Sequence, residues 1–189
     1  MDLKIIITGL GGQGVIFITR LIAQAATSLD HPVMISETHG MSQRGGSVVS
    51  HLKIGGNQAA LIHHGTADIL IGLNPDEAVR QLPLLQTEGI IIANTSSSLR
   101  PEIHPYLKKK NIQAFCLPGN EIALELGSPA VQNVVMVGFT AANPLFSLPI
   151  EKLTEALEVI ATRGLEINQQ ALDLGFQKGK KMFSKVLAA

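Results

Sequence analysis

The residues best suited to chemistry lie in Ile5-Ile6-Ile7-Thr8-Gly9-Leu10-Gly11-Gly12-Gln13-Gly14, an apolar run that ends in glycines. The pattern predicts a buried strand, a tight turn and a helix start. Gly9, Gly11 and Gly14 keep the G-x-G-x-x-G spacing. In that spacing the first glycine permits the turn, the second lets backbone approach a ligand, and the third brings helix and strand together. Amides at the helix start, with the positive end of its dipole, suit an anion such as a pyrophosphate. The same spacing also serves a plain strand-to-helix connection, but Gly12 and Gln13 exceed what a turn requires.

A second glycine-bearing stretch, Thr38-His39-Gly40-Met41-Ser42-Gln43-Arg44-Gly45-Gly46-Ser47, follows the next predicted strand, Val33 to Glu37. It falls at the carboxyl edge of the sheet, where open α/β sheets bind ligands. Glu37 stands about 20 residues beyond Gly14, where an acid can grip a ribose hydroxyl, which by itself favours NAD. Arg44 is the permanent cation of the loop and can pair with a carboxylate or phosphate, or form an ion pair that holds the loop. With the first glycine loop, His39, Gln43 and, at the tip of a later strand, Asn94, it makes a polar wall at one edge of the sheet. The histidines show no metal-ligand spacing, so no metal is expected, and the G-x-S-x-G frame of a serine hydrolase is absent.

The elements that must position these residues read as α/β. Val15 to Ala26 is apolar nearly all round, as in a helix pressed between layers, and closes a βαβ unit with Val33 to Glu37. An ordinary dinucleotide domain would then enter a helix. Here Val48 to Ile54 reads as a strand, Gly55-Gly56-Asn57 as a turn and Ala59 to His63 as a return strand, so a hairpin replaces the helix. Ile69 to Ile71 is a strand, Asn74 caps a helix that runs to Glu88-Gly89, and Gly89 to Ala93 is the next strand. Thr95 to Ser98 follows as a polar loop. Pro101 to Lys110, Val131 to Ala142, Glu151 to Thr162 and a segment from Leu165 onward read as helices, with a strand at Ile112 to Leu117. The sum is a three-layer, doubly wound, mostly parallel sheet with a Gly-rich first βα turn and an inserted β-hairpin, a single domain over 1–189.

Composition narrows the function. Charged residues are 16% and hydrophobic ones 46%, so either both sheet faces are buried or part of the surface belongs to a partner. Fifteen basic and fifteen acidic residues cancel, leaving no global field for nucleic acid or an anionic membrane. No apolar run reaches the roughly 18 residues of a membrane span, and the immediate first strand leaves no room for a signal peptide, which points to the cytoplasm. The single cysteine, Cys116, can make no internal disulfide and cannot alone hold an iron–sulfur cluster.

GLGGQG at 9–14 followed by ETHGMSQRGGSVVSHLKIG at 37–55 resembles the gamma subunit of the 2-oxoacid:ferredoxin oxidoreductases, which act on pyruvate, 2-oxoglutarate, 2-oxoisovalerate or indolepyruvate. As a separate, clusterless chain it is similar above all to the small subunit of the indolepyruvate type. The likeness runs on through Asn94, Asn133, Gly138, Asn168 and Gly175. It implies a chain inactive alone, joined to larger subunits that carry thiamine diphosphate, Mg2+ and iron–sulfur clusters and pass electrons to ferredoxin. It further implies that coenzyme A, a substrate with a pyrophosphate of its own, is accommodated here. Gly9, Gly11, Gly12, Gln13, Gly14, Gly45, Gly46, Ser47 and Asn94 are then its expected contacts, with His39, Gln43 and Arg44 as active-site wall. A free-standing NAD(P)-dependent dehydrogenase with Glu37 on the ribose, and a gamma-like subunit whose glycine loop touches no ligand, are the competing readings.

Overall fold

β1 (Leu3–Leu10) runs through the middle of the sheet, and its Ile5, Ile6 and Ile7 are fully buried because both faces are covered. In the computed structural model, which describes residues 1–39, 45–56 and 59–187 apart from the side chains of His39, Val186 and Leu187, the sheet has six strands. Their order is β2 (Val33–His39), β3 (Ser47–Ile54), β1, β4 (Ala67–Gly72), β5 (Leu85–Asn94) and β6 (Gln113–Leu117). β1, β4, β5 and β6 are parallel, while β3 lies antiparallel between β1 and β2.

One apolar layer is built from α1 (Val15–Thr27), α4 (Gly119–Glu125), α5 (Gln132–Ala141), α6 (Ile150–Ile160) and α7 (Leu165–Leu187), with Ile18, Val134, Leu157 and Phe183 among its buried residues. The other sheet face carries α2 (Pro75–Gln81) and α3 (His104–Lys109), whose Ala78 and Leu107 pack with Ile6, Leu70 and Ile91. The three-layer α/β architecture read from the sequence is therefore present. Among the described residues no helix is long and apolar enough to cross a membrane.

Three local expectations are corrected. The return strand at Ala59 to His63 is absent, because β1 and β2 already occupy both edges of β3. The hairpin is instead β2–β3, joined through the second glycine loop. The expected βαβ unit is likewise opened: β2 points the same way as β1 but is separated from it by a strand. Finally, the helix after Asn74 stops at Gln81 rather than near Glu88. Pro83 has no amide to continue the i→i−4 ladder, so the α-helix gives way to a single 3-10 turn, Leu82–Leu84, and the backbone becomes extended at Leu85, the start of β5. The cap itself is as expected, the Asn74 side chain accepting from the Asp76 and Glu77 amides at 2.9 and 3.1 Å.

The chain after β3 is held by side chains instead of a ladder. Lys53 Nζ donates to the Ala59 carbonyl at 2.6 Å, and the Ile62 amide donates to His51 Nδ1 at 3.1 Å. Ile62 is buried with Ile6 and Leu70. Burial, reinforced by the Lys53 charge, holds the His51 imidazole below its ordinary range, in the neutral form that can accept this bond. Stability is then retained above pH of about 6.5 and falls below it, because the unfolded chain takes up a proton that folded His51 resists. Urea titrations at pH 7.5 and 5.5 are expected to show a loss in the parent that His51→Gln reduces.

α5 and α7 approach with backbone against backbone. A Cβ on Gly138 would overlap the Leu172 carbonyl, and one on Gly175 would overlap the Val135 carbonyl. Neither obstacle can rotate away. Gly138→Ala is expected to cost about 3 kcal/mol in overpacking against about 1 kcal/mol gained in helix propensity. The net loss of about 2 kcal/mol is to be read from chemical denaturation.

Candidate functional site

The site is built where β1, β3, β4 and β5 end or begin at one edge. The antiparallel register sets Leu10 opposite Ser47, so the two glycine loops leave the sheet side by side. The Gly11 amide donates to the Gly46 carbonyl at 2.9 Å, and the space beside Gly11 is filled by Gly45 and Gly46 backbone. The close approach that Gly11 permits is thus to the second loop. Gly12, exposed and with φ +95°, has open space beside it.

Gln13 ties the first loop down. Its Oε1 accepts from the Leu10 amide at 2.7 Å, and its Nε2 donates to the Leu73 carbonyl at 3.4 Å, just beyond β4. Asn94 Nδ2 reaches the same carbonyl at 3.3 Å. The Asn94 amide, buried at the tip of β5, also contacts Asn120 Oδ1 at 3.1 Å and Gln132 Oε1 at 2.5 Å, and its Oδ1 accepts from the Asn120 amide at 3.3 Å. These contacts engage Asn94 as a brace from the sheet to the starts of α4 and α5. Thr95 to Ser98 forms an exposed turn in which Thr95 Oγ1 accepts from the Ser97 amide at 3.2 Å.

Gly14 opens α1 in the left-handed region at φ +84°. Asn133 Nδ2 donates to its carbonyl at 3.3 Å, and a Cβ on Gly14 would overlap that same nitrogen. Gly14 is therefore the position where α5 docks on α1. Among the described residues no side chain caps the α1 amides, and no acid lies in its first turn, so the positive end of its dipole could take an anion. The structure thus brings together Gly9, Gly11, Gly12, Gln13, Gly14, Gly45, Gly46, Ser47 and Asn94. Gln43, Arg44 and the His39 side chain lie outside the described residues. Glu37, on β2, is separated from β1 by the width of β3, whereas ribose recognition in the usual dinucleotide fold places strand two next to strand one.

Sequence reasoning missed Leu73, Asn120 and Gln132, and no side-chain signal could have found a backbone carbonyl. Asn133 did carry one, an amide embedded in an apolar helix. Two further expectations concern redox groups. Burial raises the pKa of the half-buried Cys116 thiol, an effect partly offset by a backbone hydrogen bond at Leu99, so it behaves as a small core side chain. Among the described residues no group of His, Cys, Asp or Glu converges as a metal site, and one thiol does not fit an iron–sulfur cluster.

The chain matches the family model described as pyruvate ferredoxin/flavodoxin oxidoreductase over residues 4–178. It is 35% identical over 192 residues to the indolepyruvate oxidoreductase subunit IorB of Archaeoglobus fulgidus, covering 94% of this chain and 96% of that one. With the subunit of the same name from Pyrococcus horikoshii the identity is 29% over 97% and 98% of the two chains. The gamma subunit of a keto/oxoacid ferredoxin oxidoreductase from Geobacter sulfurreducens shares the fold, with a TM-score of 0.74, 24% identity and 95% and 99% coverage. So does a 2-oxoglutarate:ferredoxin oxidoreductase from Magnetococcus marinus, solved with 2-oxoglutarate, coenzyme A and succinyl-CoA, with a TM-score of 0.77 and 21% identity over 95% of this chain and 31% of that one. A match that spans β1 to α7, on a fold with β3 between β1 and β2, establishes that the chain belongs to the pyruvate ferredoxin/flavodoxin oxidoreductase family.

Proposed function

We propose that this chain is the gamma-type subunit of a multisubunit 2-oxoacid:ferredoxin oxidoreductase, a single α/β domain that walls the site where coenzyme A accepts the acyl group. The complex converts a 2-oxoacid to acyl-CoA and carbon dioxide. Relatives at 29–35% identity are named as indolepyruvate oxidoreductase subunits, so the acid proposed is an aryl one. Thiamine diphosphate, Mg2+ and the iron–sulfur clusters belong to larger partner subunits, through which electrons pass to ferredoxin. The reading places the complex in the cytoplasm, consistent with a lone thiol and no disulfide.

The observation that carries the proposal is the uncapped, acid-free start of α1 beside the open space at Gly12. There backbone amides can meet a pyrophosphate without moving any described side chain. Gln13, Asn94 and Asn133 fix the loop that presents those amides, and in the proposal Gly45, Gly46 and Ser47 form the adjoining wall with His39, Gln43 and Arg44. The free-standing dehydrogenase gains no support from the relatives, which are oxidoreductase subunits, nor from the position of Glu37.

The tagged chain, purified from its own host grown without oxygen, is expected to bring down subunits bearing thiamine diphosphate and iron. In that complex Gly12→Asp places a carboxylate where the pyrophosphate would lie. The KM for coenzyme A is expected to rise about tenfold or more, about 1.4 kcal/mol of binding, with the KM for the 2-oxoacid unchanged. Gly12→Asn has the same shape without the charge and should raise it less. Coenzyme A kinetics indifferent to Gly12→Asp would refute the assignment.

A further inference from the structure

At the end of the sheet away from the glycine loops, where β6 begins to pair with β5, a cavity of about 420 Å³ opens. It lies between the start of β6, the turn from α5 to α6 and the last turns of α7. Phe115, Phe183 and Leu145 give it an apolar wall. Phe115 and Phe183 meet edge to face at 4.8 Å, and Phe183 also packs on Phe139 at 5.1 Å, so much of that wall is a fixed aromatic cluster. Asn143 stands in the same lining and is only 8% exposed. Its Oδ1 accepts from the Leu145 amide at 3.0 Å, which fixes the orientation of the side-chain amide. Its Nδ2 donates to nothing among the described residues, yet it is not sealed in the core, so it opens on the cavity that Asn143 lines. A buried amide donor is costly to leave unmatched, and this one calls for an acceptor in the cavity. Glu88, exposed at the rim, is the one charged residue among those lining it, and its carboxylate forms no ion pair with any described residue.

We infer that this cavity binds a small organic cation, an amine with an aromatic body and one oxygen acceptor. The ring extends the Phe115 and Phe183 cluster, the ammonium pairs with the Glu88 carboxylate, and the oxygen accepts from Asn143 Nδ2. Volume sets the size of the guest. Sites that enclose drug-sized molecules run from about 300 to 1,000 Å³, so a cavity near the lower end holds a molecule of one or two rings. Charge sets its class. The lining offers a carboxylate and no cation, so an anion would meet repulsion from Glu88 without compensation. Coenzyme A and a 2-oxoacid are both anions and neither matches, so the cavity owes nothing to the coenzyme A reading above. A free aromatic amino acid matches only in part, because its carboxylate finds amide donors but no positive partner.

The test is a ligand-observed NMR titration of the purified complex with phenylalaninol, which carries a ring, an ammonium and a hydroxyl. Phenylalanine, with an added carboxylate charge, and 3-phenylpropanol, without the amine, serve as controls. Phenylalaninol is expected to bind with a dissociation constant of about a millimolar or below, and each control about fivefold more weakly. Glu88→Gln should weaken phenylalaninol about fivefold, the upper range for an exposed ion pair, and leave 3-phenylpropanol unchanged. Leu145→Arg puts a long cation at the mouth and should abolish binding of phenylalaninol. Glu88 and Leu145 both reach solvent, so neither substitution is expected to alter melting or assembly. Phenylalaninol binding that ignores both substitutions belongs to another chain of the complex and would overturn the inference. So would equal affinity for phenylalaninol and 3-phenylpropanol, or no binding of phenylalaninol at ten times the expected dissociation constant.

Discussion

The hydrogen bond from the Gly11 amide to the Gly46 carbonyl exists because β3 runs antiparallel beside β1 with Leu10 opposite Ser47. Much of what distinguishes this molecule follows from that insertion. Two glycine-bearing loops, more than thirty residues apart in the chain, leave the sheet as neighbours. The acid at the end of β2 is carried one strand away from the first loop. The edge that a return strand would need is already taken, so the residues after β3 are tied down by Lys53 and His51 side chains and by burial of Ile62.

The loop is rigid for reasons that lie outside it. Gln13 and Asn94 converge on one carbonyl at Leu73, which links the ends of three strands without any side chain of its own. Asn133 locks the left-handed Gly14 to α5, and α5 is in turn held against α7 by glycines that leave no room for a methyl group. Displacement of α7 would therefore be felt at the N-terminal end of α1 through contacts that are mostly backbone. Such contacts have little freedom to adjust, so the amides at the start of α1 are held in a fixed geometry.

With a single cysteine the chain cannot by itself supply the thiolates that hold an iron–sulfur cluster. In the function proposed above its contribution is positional, the start of α1 presented beside the open space at Gly12.

Local pattern determined a good deal by itself. The apolar run into Gly9-Leu10-Gly11-Gly12-Gln13-Gly14 was legible as strand, turn and helix because spacing and burial are written into residue types. The Asn74 cap, the strands ending at Asn94 and Leu117, and the last helices were legible for the same reason. Pairing was not. Whether the strand after the second loop turns back on a later segment or slips between β1 and β2 depends on which edge is free, a long-range question that short-range periodicity cannot answer. Nor could the sequence reveal the partners of Asn94 and Gln13, because their shared acceptor is a backbone carbonyl some twenty and sixty residues distant, respectively. Asn133, an amide within an apolar helix, met the first glycine loop only when α5 docked on α1 and brought its Nδ2 to the Gly14 carbonyl, a contact across 119 residues that tertiary packing alone decides.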